Sequence, residues 1–139
     1  MQYNDRITSD AFLNYAKLSY EIGNAYEPVS NVLMEYLEAY PKSASKIEIE
    51  NLLISSYIAS KDYLNAIKLL RKIKRNKAQN LAYQKATFLH GIDLFNMGDL
   101  DAAKTFFQNS KEVNEDSKLT TQATFWLGDV YYKLKAFNL

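Results

Sequence analysis

The sequence predicts an all-α protein, a stack of helical hairpins with about seven helices. Three observations predict it. First, Tyr26, Tyr63, Leu100 and Phe137 recur at an interval of 37 residues. Tyr20, Tyr57, Leu94 and Tyr131 keep the same interval, as do Val29, Ala66 and Ala103, and Leu33, Leu70 and Phe107. A period of roughly 20–50 residues is the mark of a stacked repeat architecture. Second, only 4 glycines and 2 prolines interrupt 139 residues, which favours helices with short connections. Third, apolar residues recur within each period at helical spacing.

The units run over approximately 10–43, 45–80, 82–117 and 120–139, within a single domain spanning 1–139. The first begins near Asp10, after a polar start, and places Phe12, Leu13, Ala16, Tyr20 and Ile22 on one helix. Gly23-Asn24 breaks that helix. Pro28 suits the start of the next, because a first turn does not need its N–H. Val29, Val32, Leu33, Tyr36, Leu37 and Tyr40 form its apolar face, and Pro41 ends it. In the second unit Ser45 and Glu48 have the spacing of a capping box. Ile49, Leu52, Leu53 and Tyr57 carry the stripe onward. Asp62 is placed to cap the partner helix of Leu64, Ala66, Ile67, Leu70 and Ile73. The third unit repeats this with Phe88, Leu89, Ile92, Leu94 and Phe95, then Gly98, then Asp99 as cap before Ala102, Ala103, Phe106 and Phe107. The fourth supplies one helix, from Thr120 to Phe137.

Ala66 and Ala103 stand where two helices would cross closely, since a larger side chain would push the axes apart. Gly91 and Gly128 share a column inside first helices. A mid-helix glycine costs about 1 kcal/mol against alanine, so close approach of a neighbour is expected there.

Gly98-Asp99-Leu100-Asp101-Ala102-Ala103, followed by Phe107, resembles the turn and second helix of a tetratricopeptide repeat. Phe125-Trp126-Leu127-Gly128-Asp129-Val130-Tyr131-Tyr132 resembles its first helix. The family's repeat is about 34 residues, so each unit here carries a longer link. Tyr36-Leu37-Glu38-Ala39-Tyr40-Pro41-Lys42-Ser43 resembles the repeat ending of an envelope-type bacterial subgroup. The resemblance implies a right-handed α-α superhelix and a location in the bacterial periplasm or envelope, with the cytoplasm left open. The first unit departs from the pattern, with Val29 in place of the small crossing residue.

Nothing in the chain resembles catalytic machinery. There is no cysteine and one histidine, His90, in an inward-facing column. A lone imidazole does not make a metal site of three or four ligands. No glycine-rich phosphate loop or serine-nucleophile motif occurs. The carboxylates at helix starts complement the helix dipole. No enzyme activity, cofactor or metal is expected. The net charge of +1 gives no field that steers nucleic acid or membrane. No run approaches the ~18 apolar residues of a transmembrane segment. Residues 61–90 nevertheless hold 8 basic side chains and 1 acidic one. Lys68, Arg71, Lys72 and Arg75 head this basic run. It reads as a solvated helix face, because no aromatics interleave with it as single-strand binding would favour. A nucleic-acid partner is disfavoured.

The resemblance implies that first helices line a concave groove. The matching columns give Asn14, Asn51 and Ser55, then Lys85, Phe88, Ile92 and Phe95, then Phe125, Asp129 and Tyr132. The asparagines can donate to and accept from a peptide backbone, and the rings can hold apolar anchors. The expected function is a non-catalytic protein–protein interaction scaffold that binds a peptide or partner helix. The alternative is a glycan-binding helical-repeat protein of the cell envelope. The apolar last helix leaves two further expectations open: a window from a longer array, or a homodimer formed through that helix.

Overall fold

The structure, a computed structural model, describes the backbone of residues 2–137 and the side chains of residues 8–136. Among these residues the chain is all-α, with seven helices and no strand. They are α1 (Gln2–Ile22), α2 (Val29–Ala39), α3 (Lys46–Ala59), α4 (Tyr63–Lys72), α5 (Lys77–Asn96), α6 (Leu100–Val113) and α7 (Ser117–Phe137). No helix among the described residues is long and apolar enough to cross a membrane. Helices start earlier than the apolar pattern suggests. α1 begins at Gln2 rather than near Asp10, α5 at Lys77 and α7 at Ser117, because polar first turns carry no stripe to read. The side chain of Phe137, the last mark of the interval, lies outside the described residues.

The chain divides into two compact units, Met1–Lys61 and Asp62–Leu139. In the first, Ala16 of α1, Val32, Leu33 and Tyr36 of α2, and Ile49, Leu53 and Tyr57 of α3 are buried. Phe12 meets Tyr36 edge-on at 5.6 Å and Tyr40 at 6.1 Å. The α1–α2 turn is held by Asn24. Its amide donates to the Tyr15 hydroxyl at 2.7 Å, and its carbonyl accepts from the Tyr26 N–H at 2.8 Å. Tyr26 itself is 95% exposed, because α2 starts three residues after it, at Val29. The first mark of the 37-residue interval is therefore a loop residue, whereas Tyr63 and Leu100 open their helices.

In the second unit the period is visible in the backbone. Asp62 and Asp99, 37 residues apart, are the N-caps of α4 and α6. One residue earlier, Lys61 and Gly98 both have left-handed backbone, at φ 64° and 84°. Gly98 closes α5 by a Schellman pair: its N–H donates to Phe95 O, and the Asp99 N–H donates to Leu94 O. The caps differ in chemistry. Asp99 accepts from the Ala102 N–H at 3.3 Å, as expected. Asp62 makes no side-chain cap bond; it accepts from the Asn65 amide at 2.7 Å instead. Ser45 also makes no cap bond, so Ser45 and Glu48 do not form a box. The capping box belongs to Asn76 and Gln79 at the start of α5.

Phe88, Ala103, Phe107, Ala123, Leu127 and Val130 form one core cluster of this unit, and Ala66, Ile67, Leu70 and Ala86 are buried as well. Trp126 stacks on Phe107 at 5.9 Å and meets Phe95 edge-on at 5.0 Å. Ala66 and Ala103 are fully buried, as small crossing residues should be. Gly91 meets its expected neighbour: a Cβ there would lie 2.8 Å from the Phe107 ring. Gly128 does not, since nothing lies within 4 Å of its would-be Cβ.

Gln84 is the unit's polar anchor. It is fully buried on α5. Its amide oxygen accepts from the N–H groups of Glu115 and Asp116, at 3.1 and 2.8 Å. Its amide nitrogen donates to Asp116 O at 3.1 Å and Thr120 Oγ1 at 2.9 Å. All four hydrogen-bonding sites of the side chain are used. The α6–α7 turn is thereby tied to α5.

Candidate functional site

The predicted groove residues fall into two sets, one in each compact unit. In the first, Asn14 of α1 and Asn51 and Ser55 of α3 are exposed. Lys17 and Glu48 join α1 to α3 beside them, with Nζ 3.1 Å from the carboxylate. A surface pair of this kind contributes under about 1 kcal/mol. Its value here is positional, because it sets the polar rows of α1 and α3 side by side.

In the second unit Lys85 is exposed, and Ile92, Phe95 and Asp129 are half-buried. Phe88 is a correction: it is a core residue, 7% exposed, with its ring 5.9 Å from that of Phe107. The cause is its place three residues before Gly91. The missing side chain at Gly91 admits Phe107, and Phe88 on the same face of α5 packs against that ring. Phe95 is partly committed as well, between Trp126 and the Lys133 ammonium 4.3 Å above its ring.

Phe125 and Tyr132 are the open rings, 75% and 73% exposed. With Asp129 they follow the i, i+4, i+7 spacing of one face of α7. The arrangement is two exposed rings flanking a carboxylate on a regular helix. It can hold apolar or planar groups on the rings while Asp129 accepts a hydrogen bond between them.

The basic run has a structural occupation that its sequence did not reveal. Lys68, Arg71 and Lys72 are exposed and Arg75 is half-buried. Arg71 donates to the Tyr83 hydroxyl at 3.1 Å, with its guanidinium 5.8 Å from the Phe106 ring. Arg75 donates to Asn80 and to Leu70 O, and stacks 4.2 Å over Tyr83. Both arginines thus fasten the α4 end to α5, which leaves Lys68, Lys72, Lys74 and Lys77 among the run's solvated charges.

His90 stands half-buried, edge-on to Phe106 at 4.6 Å. Burial holds its pKa below the ordinary 6.5, and the nearby Asp93 carboxylate opposes this more weakly. Among the described residues no group of three or more His, Cys, Asp or Glu side chains is placed to hold a metal ion.

Sequence reasoning missed Gln84 and the Asn76 capping box. The box was legible, since Asn76 and Gln79 have its spacing and residue types. Gln84 was not, because its four partners lie about 30 residues away along the chain. No family model, no curated protein and no solved structure matches this chain.

Proposed function

We propose that this protein is a non-catalytic interaction scaffold whose first-helix faces bind an extended peptide or a partner helix. The observation that carries the proposal is the open pair of rings on α7, Phe125 and Tyr132, with Asp129 between them. Two large rings exposed on one face of a regular helix make an apolar strip of the kind that marks interaction surfaces. The polar rows of α1 and α3, with Asn14, Asn51 and Ser55, supply hydrogen-bonding groups of both kinds for a peptide backbone. A tetratricopeptide-type right-handed superhelix belongs to this proposal. The repeated N-caps at Asp62 and Asp99, and the repeated left-handed residues before them, support it.

A second reading draws on the same rings. Exposed aromatic faces also stack on sugar rings, and Asp129 can accept from a sugar hydroxyl. Both readings are tested with a Phe125→Ala/Tyr132→Ala double variant. A random 15-residue peptide display library would be panned on the wild type, and the enriched peptides titrated against both proteins. The proposal expects peptides with aromatic or aliphatic anchors, bound at least tenfold more weakly by the double variant at unchanged helical circular dichroism. Enrichment of no peptide, with the wild type retained on a glycan array, would replace it by the glycan reading. Peptides bound equally by both proteins would refute the role of the rings.

A further inference from the structure

A second surface of α7 lies about a third of a turn around the helix from the ring strip. It is one wall of a cleft of about 610 Å³, lined by Gln108, Lys111 and Glu112 of α6 and Thr124, Leu127, Gly128 and Tyr131 of α7. Moving every one of these positions back by 37 residues gives Arg71 of α4, Lys74 and Arg75 just beyond its end, and Thr87, His90, Gly91 and Leu94 of α5. In that earlier set α6 lies over His90 and Gly91. Phe106 sits edge-on to His90 at 4.6 Å, with the Arg71 guanidinium 5.8 Å from its ring. Phe107 sits on Gly91 so closely that a Cβ there would come within 2.8 Å. At Gly128, the counterpart of Gly91, no heavy atom lies within 4 Å of the same point. The cleft between α6 and α7 is therefore an open copy of the seat that α6 occupies on α5, with Arg71 of α4 at its edge.

We infer that this cleft docks an amphipathic helix of the α6 kind, presented by a partner. Such a helix carries two consecutive aromatic residues, with a small residue four positions before the second, as in Ala103, Phe106 and Phe107. The second ring rests on Gly128 and the first on Leu127. The small residue lets the two helix axes approach. The rim differs from its earlier copy in charge. Arg71, Lys74 and Arg75 are replaced by Gln108, Lys111 and Glu112, and Gln108 donates to the Tyr131 hydroxyl at 3.0 Å. The cation above the first ring is thus absent from the cleft wall, and Glu112 favours a helix with a basic residue beside its ring pair. This site is independent of the Phe125 and Tyr132 strip and uses a different face of α7.

The probe is a fluorescein-labelled synthetic peptide with the α6 sequence LDAAKTFFQNSKEV, titrated with the protein by fluorescence anisotropy. An isolated helix of this length is marginal in water, so binding also has to order it. The proposal expects saturable binding, weakened at least tenfold when both phenylalanines of the peptide are replaced by alanine. Gly128→Leu in the protein should weaken binding at least tenfold without loss of helical signal, because its side chain enters open space. The Phe125→Ala/Tyr132→Ala variant should bind the peptide as the wild type does. No saturable binding, or equal affinity for Gly128→Leu, would overturn the inference. So would sedimentation equilibrium that shows a dimer abolished by Gly128→Leu, since the occupant would then be a second copy of the chain.

Discussion

Gly91 and Gly128 occupy one column of the repeat, yet alanine should act on them with opposite sign. Both lie inside helices, where alanine is favoured over glycine by about 1 kcal/mol. At Gly128 that gain stands alone, because the new methyl meets nothing within 4 Å. At Gly91 the methyl would lie 2.8 Å from two carbons of the Phe107 ring and 3.2 Å from a third. That ring cannot yield cheaply. It is fully buried, stacked on Trp126 at 5.9 Å and faced by Phe88 at 5.9 Å. Overpacking of this kind costs about 1–3 kcal/mol. Gly91→Ala should therefore be neutral to destabilising by about 2 kcal/mol, while Gly128→Ala should stabilise by about 1 kcal/mol. Both positions lie in the unit Asp62–Leu139, so the comparison does not depend on how the two units unfold. Urea titrations followed by circular dichroism at 222 nm would read the difference in midpoint, with the slope unchanged. If Gly91→Ala raises the midpoint as much as Gly128→Ala, the Phe107 ring does not press on Gly91. The docking argument built on that contact would fail with it.

Three further outcomes follow from single side chains. Gln84→Leu removes the acceptor of the Glu115 and Asp116 N–H groups, and should destabilise by about 2–5 kcal/mol in the same titration. Lys61→Gly relieves a left-handed backbone at a non-glycine residue, and should stabilise by about 1 kcal/mol; a loss would show that the Lys61 side chain matters more than its φ. Burial lowers the pKa of His90 in the folded state, so the unfolded chain binds its proton first as pH falls below 6.5. Stability should be flat above that pH with respect to this group and decline below it, and His90→Phe should reduce the decline measured by midpoint against pH.

The period was legible because it is carried by residues that the fold uses locally. Asp99, Gly98 and Ala103 each state their role within one turn of the chain: a cap, a left-handed stop and a close crossing. The groove columns were less legible, because exposure depends on what a neighbouring helix brings. Phe88 and Phe125 share a column, yet Phe107 reaches only one of them. Aromatic type alone does not separate a ring that faces water from one that fills the gap over a glycine. Arg71 and Arg75 looked like solvated charge for a similar reason. Their partners, Tyr83, Asn80 and Phe106, sit on other helices.

The bond set of Gln84 bears on where this chain could be lengthened. Surface connections usually accept extra residues, since closing a longer loop costs little entropy. The turn around Tyr26 fits that rule better, since its ring is in water and the side chain that accepts its N–H, Asn24, belongs to the same turn. The stretch between Val113 and Ser117 does not. Its two N–H groups and one carbonyl are gripped by a side chain that has no spare hydrogen-bonding site. One inserted residue would pull Glu115 and Asp116 out of register with Gln84 and also displace the Asp116 carboxylate that accepts from the Lys118 N–H in the first turn of α7. A tag or an inserted domain belongs in the α1–α2 turn, and the α6–α7 turn, though a loop by position, should be treated as core.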